Sequence, residues 1–225
     1  MLYSLGDPLS LVLLLAGFAL ALTVHGVVQA VVASRFGDRR PEAEGRRSLD
    51  PRSHLDPFGA VAALIAGVGW AKPVEPPDRR RRGPMVAVLI SGAVADIVLG
   101  LLALLALRLV VGPVAGLGSY AVLLQQGVNA DDLLAQVLLL LGLSLLFFGA
   151  LALVPLPPLP GGRLLFGLAP QTSGWQKAEH QLVERNIGVA VLLALLLIPL
   201  GGPLPLLPTL LDTVLAPAID LVIGG

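Results

Sequence analysis

Leu9–Ala33 reads LSLVLLLAGFALALTVHGVVQAVVA, a run of 25 residues that contains no Asp, Glu, Lys or Arg. A helix of this length is about 37 Å long, enough to cross the hydrocarbon core of a bilayer with some tilt. The run ends at residues 34–38, where charged residues and a glycine stop a helix. It predicts a membrane-spanning helix that carries His25 and, one turn later, Gln29.

The composition places the rest of the chain in a membrane as well. Of the 225 residues, 56% are apolar and 13% are charged, about half the charged share of a soluble domain. There is no cysteine, which excludes disulfides and thiolate metal ligands. Eleven of the 15 basic residues lie between positions 34 and 83. Beside membrane spans, such a cluster indicates the cytoplasmic side, so we expect no nucleic-acid partner.

Further apolar runs predict the remaining membrane segments. Residues 84–107, 133–154 and 187–200 are expected to span. Residues 58–70 contain three glycines and are too short to cross, which predicts a re-entrant hairpin. Residues 208–223 predict either a short span or a helix in the interface.

The order of these segments predicts a topology. The N-terminus is expected outside, with loops 34–83 and 155–186 in the cytoplasm and Arg79–Arg82 as a charged anchor. We therefore expect a single membrane-embedded domain over residues 1–225 in the cell membrane. Its fold class is an all-α, multi-pass helix bundle of four to five spans with a re-entrant hairpin, in contact with the lipid bilayer.

Five motifs point to one family. They are His25-Gly26-Val27-Val28-Gln29-Ala30 with Gly37-Asp38, His54-Leu55-Asp56-Pro57, Gly69–Val74, Ser91-Gly92-Ala93-Val94-Ala95-Asp96, and the stretch Ala152–Gly161, ALVPLPPLPG. In these motifs the chain resembles the site-2 protease family of intramembrane zinc metalloproteases, in particular its small bacterial and archaeal members. The resemblance covers about residues 10–170. It implies a site-2 protease-like arrangement of the helices.

The chain departs from the family pattern at the positions of the zinc ligands and of the general base. The family's first core helix carries HExxH, in which two histidines bind zinc and the glutamate is the general base. Here only His25 is retained, Gly26 stands at the base position, and Gln29 replaces the second histidine. Pro160 replaces the aspartate ligand, and Ala152 replaces the asparagine upstream of it.

The resemblance therefore implies a degenerate pocket and no catalytic residue. Its candidate members are His25, Gly26, Gln29, Asp96, Ala152 and Pro160. His25 is the only retained metal-ligand position. We expect no cofactor, with zinc only if an unrecognised ligand set exists.

Structural roles for the same residues stay open. His25 lies some 12 Å deep, where it is expected to be neutral and bonded to a neighbouring span, to contact a partner, or to bind metal. Asp96 is either a functional residue or an acid that bonds a backbone carbonyl or His25. Gln29 is expected to form polar contacts between helices. His54 and Asp56 are expected to shape a turn in a surface loop.

Three functional hypotheses follow. The first is a non-proteolytic pseudoprotease that binds or regulates a transmembrane partner, either a single-pass membrane protein or an active protease. The second is an active intramembrane zinc metalloendopeptidase. The third is a small transporter or proton-handling protein centred on His25 and Asp96.

Overall fold

The structure is a computed structural model that describes residues 7–75, 81–114, 116–128, 132–199 and 205–224. Two residues of the predicted charged anchor, Arg79 and Arg80, lie outside these ranges. Within them the fold is built from helices and connecting loops, with one isolated antiparallel bridge between Leu55 and Ala71. The helices are α1 Pro8–Arg35, α2 Arg40–Ala43, α3 Pro57–Ala66, α4 Arg82–Val111, α5 Tyr120–Gln126, α6 Leu133–Ala152, α7 Pro160–Leu168, α8 Ser173–Glu179, α9 Ile187–Leu197 and α10 Leu206–Ile223.

Among the residues that the structure describes, four helices are long and apolar enough to cross a membrane, namely α1, α4, α6 and α10. A fifth crossing is possible if Ser173–Glu184 and α9, which meet at an angle of 69°, act as one broken span. The protein is therefore a multi-pass membrane protein, and the predicted all-α bundle of four to five spans is confirmed.

Local sequence signals explain where these helices begin. The Asp7 carboxylate accepts a hydrogen bond from the Ser10 backbone N–H at 3.4 Å, and Pro8 occupies the first turn of α1. Asp132 caps α6 in the same way, through the Leu134 N–H at 2.8 Å. These caps satisfy N–H groups that would otherwise lack a partner at a helix end.

Helices α1, α4 and α6 pack together to form the centre of the bundle. Small residues bring α4 and α6 into close contact. A Cβ atom added to Gly100 would lie 2.8 Å from the Gly142 carbonyl oxygen, and one added to Gly149 would lie 2.7 Å from the Ala93 carbonyl oxygen. Such contacts between backbones are how membrane helices associate without a hydrophobic driving force.

The predicted hairpin around residues 58–70 consists of α3 and an extended segment that returns beside it. Asp56 accepts the Gly59 N–H at 2.8 Å and starts the helix, and Gly67, with φ +80°, ends it. The chain then runs back beside the helix start, where the Lys72 N–H donates to the His54 carbonyl at 2.7 Å. A Cβ atom on Gly59 would lie 2.1 Å from the Trp70 carbonyl oxygen, so the two arms touch through their backbones.

Helix α10 contains residues 208–223, for which the sequence predicted either a short span or a helix in the interface. Its 18 residues are long enough to cross a membrane, which favours a span. Its two acids bond to α5 and to the residue before it. Asp212 accepts hydrogen bonds from the Ser119 hydroxyl at 2.8 Å and from the Ala121 N–H at 3.1 Å. Asp220 accepts one from the Tyr120 hydroxyl. Both acids of α10 thus have hydrogen-bond partners within the protein.

Candidate functional site

A narrow cavity lies between α1, the extended segment after α3 and the turn from α6 to α7. Its volume is about 10 Å³, room for about one water molecule. Four of the six predicted pocket residues line it, namely His25, Gln29, Ala152 and Pro160. Residues 70–74 form its opposite wall, so the hairpin closes over the face of α1 that carries the histidine.

His25 is paired with Asp96 of α4. A hydrogen bond of 2.8 Å joins His25 Nδ1 and Asp96 Oδ2, and the two residues are only 2% and 0% exposed. The helices approach closely because Gly92 faces the histidine; a Cβ there would lie 2.7 Å from the His25 carbonyl oxygen. Of the two partners considered for Asp96, the structure places His25 at bonding distance. The second carboxylate oxygen, Oδ1, has no hydrogen-bond partner among the described residues.

Gln29 also connects α1 to α4. Its side-chain Nε2 donates to the Leu89 carbonyl oxygen at 3.3 Å, and the residue is buried. The Phe148 ring of α6 packs edge-on against the His25 ring at a centroid distance of 5.5 Å. The polar groups of α1 are therefore held by contacts with neighbouring helices.

His54 fills the space beside Gly26. His54 lies at a turn of its loop, as expected, but its side chain is 0% exposed and so is not at the surface. Its Nε2–H donates to the Ser48 carbonyl at 2.9 Å, while Nδ1 has no partner in the described chain. A Cβ atom added to Gly26 would lie 2.0 Å from Nδ1. The imidazole thus occupies the volume that a side chain at position 26 would need.

The burial of His54 also favours one charge state of its ring. Desolvation lowers the pKa of His54, with a smaller opposing contribution from its hydrogen bond to the Ser48 carbonyl. The lowered pKa favours the neutral ring. A neutral ring that donates through Nε2 carries its lone pair on Nδ1, the atom that faces Gly26.

The side chains of the cavity do not fit a catalytic zinc. Such a site needs three protein ligands and an open position for water. Pro160 offers no donor atom, and Gln29 offers only a neutral amide oxygen. His25 is bonded to Asp96 through Nδ1, which leaves its Nε2 as the one imidazole ligand of the predicted set. Across the residues that the structure describes, no three His, Cys, Asp or Glu side chains are grouped as metal ligands would be.

The chain has a curated relative. The protein named "Putative zinc metalloprotease YwhC" from Bacillus subtilis (strain 168) is 32% identical over 200 residues, which cover 87% of this chain and 85% of the relative. The chain belongs to the family of that protein. It is therefore a membrane protein related to zinc metalloproteases. No protein-family model matches the chain, and no solved structure does.

The buried pair in this family member leads to a first prediction. Asp96→Ala is expected to lower the free energy of unfolding by about 2 kcal/mol, since the His25 ring would lose its partner inside the bundle. Asp96→Asn keeps the volume and a hydrogen-bonding group, and it should cost less than half as much. Denaturant unfolding in detergent, followed by tryptophan fluorescence, measures both. Equal losses for the two variants would show that the hydrogen bond contributes nothing.

Proposed function

We propose that this chain is a non-proteolytic member of the site-2 protease family that binds or regulates a transmembrane partner. The observation that carries the proposal is the set of residues at and beside the motif positions around His25. Gly26 offers no base, Gln29 and Pro160 stand at two ligand positions, and the His54 ring fills the space next to Gly26.

Each loss removes a separate requirement of proteolysis. A missing general base alone lowers a rate by about 10²–10⁴. Loss of two of three metal ligands removes the ion that would activate water and polarise the peptide carbonyl. A cavity with room for about one water also leaves no space for a peptide group beside His25.

The retained scaffold supports a role in binding. Affinity for a single transmembrane helix would come from close packing and a few hydrogen bonds in lipid. The partner would be a single-pass membrane protein or an active protease. In this proposal residues 1–225 form one domain in the cell membrane, with the N-terminus outside and loops 34–83 and 155–186 in the cytoplasm.

A proteolysis assay tests the proposal. The full chain, reconstituted in liposomes with added zinc, is incubated with a panel of fluorescently labelled single-pass peptides, with and without a chelator. We expect no chelator-sensitive product, and we expect energy transfer between labelled protein and at least one peptide. Chelator-sensitive cleavage would contradict the proposal, and so would the absence of energy transfer with every peptide.

Two other functions have one supporting observation each. An active zinc metalloendopeptidase is favoured by the name of the Bacillus relative and opposed by the donor atoms of the cavity. A proton-handling role is favoured by the buried His25–Asp96 pair. If Asp96→Asn changes no ion or solute flux in liposomes, the proton-handling role is excluded.

A further inference from the structure

A second, larger cleft of about 560 Å³ adjoins the narrow cavity and shares Lys72 and Pro73 with it. One wall is apolar and comes from the bent helix pair, through residues that include Leu182, Val189 and Leu193. The opposite wall comes from the hairpin and from the turn before α7. The cleft therefore has an apolar side and, at the hairpin, a charged side.

Arg163 of α7 is the main cation of this cleft. Its Nη1 donates to the Val74 carbonyl oxygen at 3.2 Å, while its Nε is buried and has no hydrogen-bond partner in the described chain. None of the carboxylates that the structure describes forms an ion pair with it. Burial lowers its pKa, and the more distant charge of Glu75 opposes this effect only in part. Arg163 is half-buried, and no carboxylate in the described chain lies at ion-pair distance, so an anion in the cleft would be stabilising.

The charged side chains that line the cleft are two cations and one acid. Lys72 is exposed and lines the same cleft. Arg46, only 1% exposed, lies behind it and donates to the Lys72 and Pro73 carbonyls at 2.9 Å each. The opposing charge on the cleft wall is Asp56, whose carboxylate is engaged by the Gly59 N–H at 2.8 Å. Two cations on the wall thus face one carboxylate. The charge of Arg46 behind the wall is opposed by Glu44, whose carboxylate lies 3.7 Å from Arg46 Nε.

The position of the cleft matches that of a lipid. Its charged residues lie on either side of α3 and in α7, at the end of the bundle where α6 ends. Its apolar wall belongs to α9, which together with Ser173–Glu184 is long enough to cross a membrane. A ligand held there has a charged group at the loops and an apolar part along the bilayer.

We propose that this cleft binds an anionic phospholipid, with its phosphate at Arg163 and Lys72 and an acyl chain along α9. The inference goes beyond the proposed function, since it holds whether or not the narrow cavity is catalytic. One lysine or arginine near an anionic headgroup contributes about 1 kcal/mol, which corresponds to about a fivefold change in affinity.

Native mass spectrometry of the full chain in detergent tests the proposal. Phosphatidylglycerol and phosphatidylcholine with the same acyl chains are titrated against the wild type and variants. We expect phosphatidylglycerol to bind at least about fivefold more tightly. Arg163→Gln should remove this preference and Lys72→Gln should weaken it. Arg163→Lys should keep most of it, and Arg52→Gln, at an exposed position away from the cleft, should leave it unchanged.

Three outcomes would overturn the proposal. One is equal binding of the two lipids by the wild type. Another is an unchanged preference in Lys72→Gln and in folded Arg163→Gln. The third is displacement of the lipid by an equal concentration of glycerol phosphate, which would identify the ligand as a free phosphate ester rather than a lipid. If Arg163→Gln does not fold, the Lys72→Gln result decides alone.

Discussion

Gly26→Glu is expected to destabilise the protein by more than about 4 kcal/mol rather than restore a catalytic base. The first side-chain atom alone would lie 2.0 Å from His54 Nδ1 and 2.8 Å from Cε1 of the same ring. Overpacking of this kind costs about 1–3 kcal/mol, and a carboxylate buried without a partner costs several more. Denaturant unfolding in detergent measures the loss.

Two comparison variants separate the clash from the added charge. Gly83→Glu adds the same side chain in the first turn of α4, where no atom of the described chain lies within 4 Å, and it should change stability by less than about 0.5 kcal/mol. Combining Gly26→Glu with His54→Ala should recover at least half of the loss, because the ring would no longer fill the space. Equal stability of Gly26→Glu and Gly83→Glu would show that His54 does not occupy this volume.

Zinc binding is expected to return only when the missing donors are restored and His54 is removed together. The variant Gly26→Glu, Gln29→His, Pro160→Asp and His54→Ala should hold about one zinc per chain, because it supplies three ligands and a base. The same variant with His54 retained should hold much less zinc, because the clash between the imidazole and the new glutamate would displace α1, which carries two of the three ligands. Zinc is measured by mass spectrometry after dialysis against buffer without metal.

A variant with one ligand fewer provides the control. Keeping Gln29 while making the other three substitutions leaves two ligands, and the zinc content should fall back towards that of the wild type. If the variant with all four substitutions folds but holds no more zinc than the wild type, positions 25, 29 and 160 do not converge on one ion.

Much of the fold follows from the sequence because membrane spans are local features. Each long apolar run carries its own signal, so the span at Leu9–Ala33 was expected from length and the absence of charge alone. Helix α10 was less clear, since Asp212 and Asp220 weaken its apolar character. Their hydrogen bonds to α5 depend on a neighbour that the run itself does not reveal.

The candidate site was predictable only in part, for a physical reason. Motif positions identified His25, Gln29 and Pro160, and the structure places all three around one cavity. The burial of His54 does not follow from the sequence, because a histidine in a polar, arginine-rich loop is expected to be exposed. It is buried because a glycine on another element leaves a volume that close packing must fill. Arg46, in the same loop, is buried for a related reason: its guanidinium caps the carbonyls of the hairpin.

The zinc content of the purified wild-type chain tests the central claim most directly. After incubation with equimolar zinc and dialysis, we predict less than about one tenth of a zinc per chain. About one tightly held zinc per chain, lost on mutation of His25 to alanine, would contradict the conclusion that the centre has lost its metal.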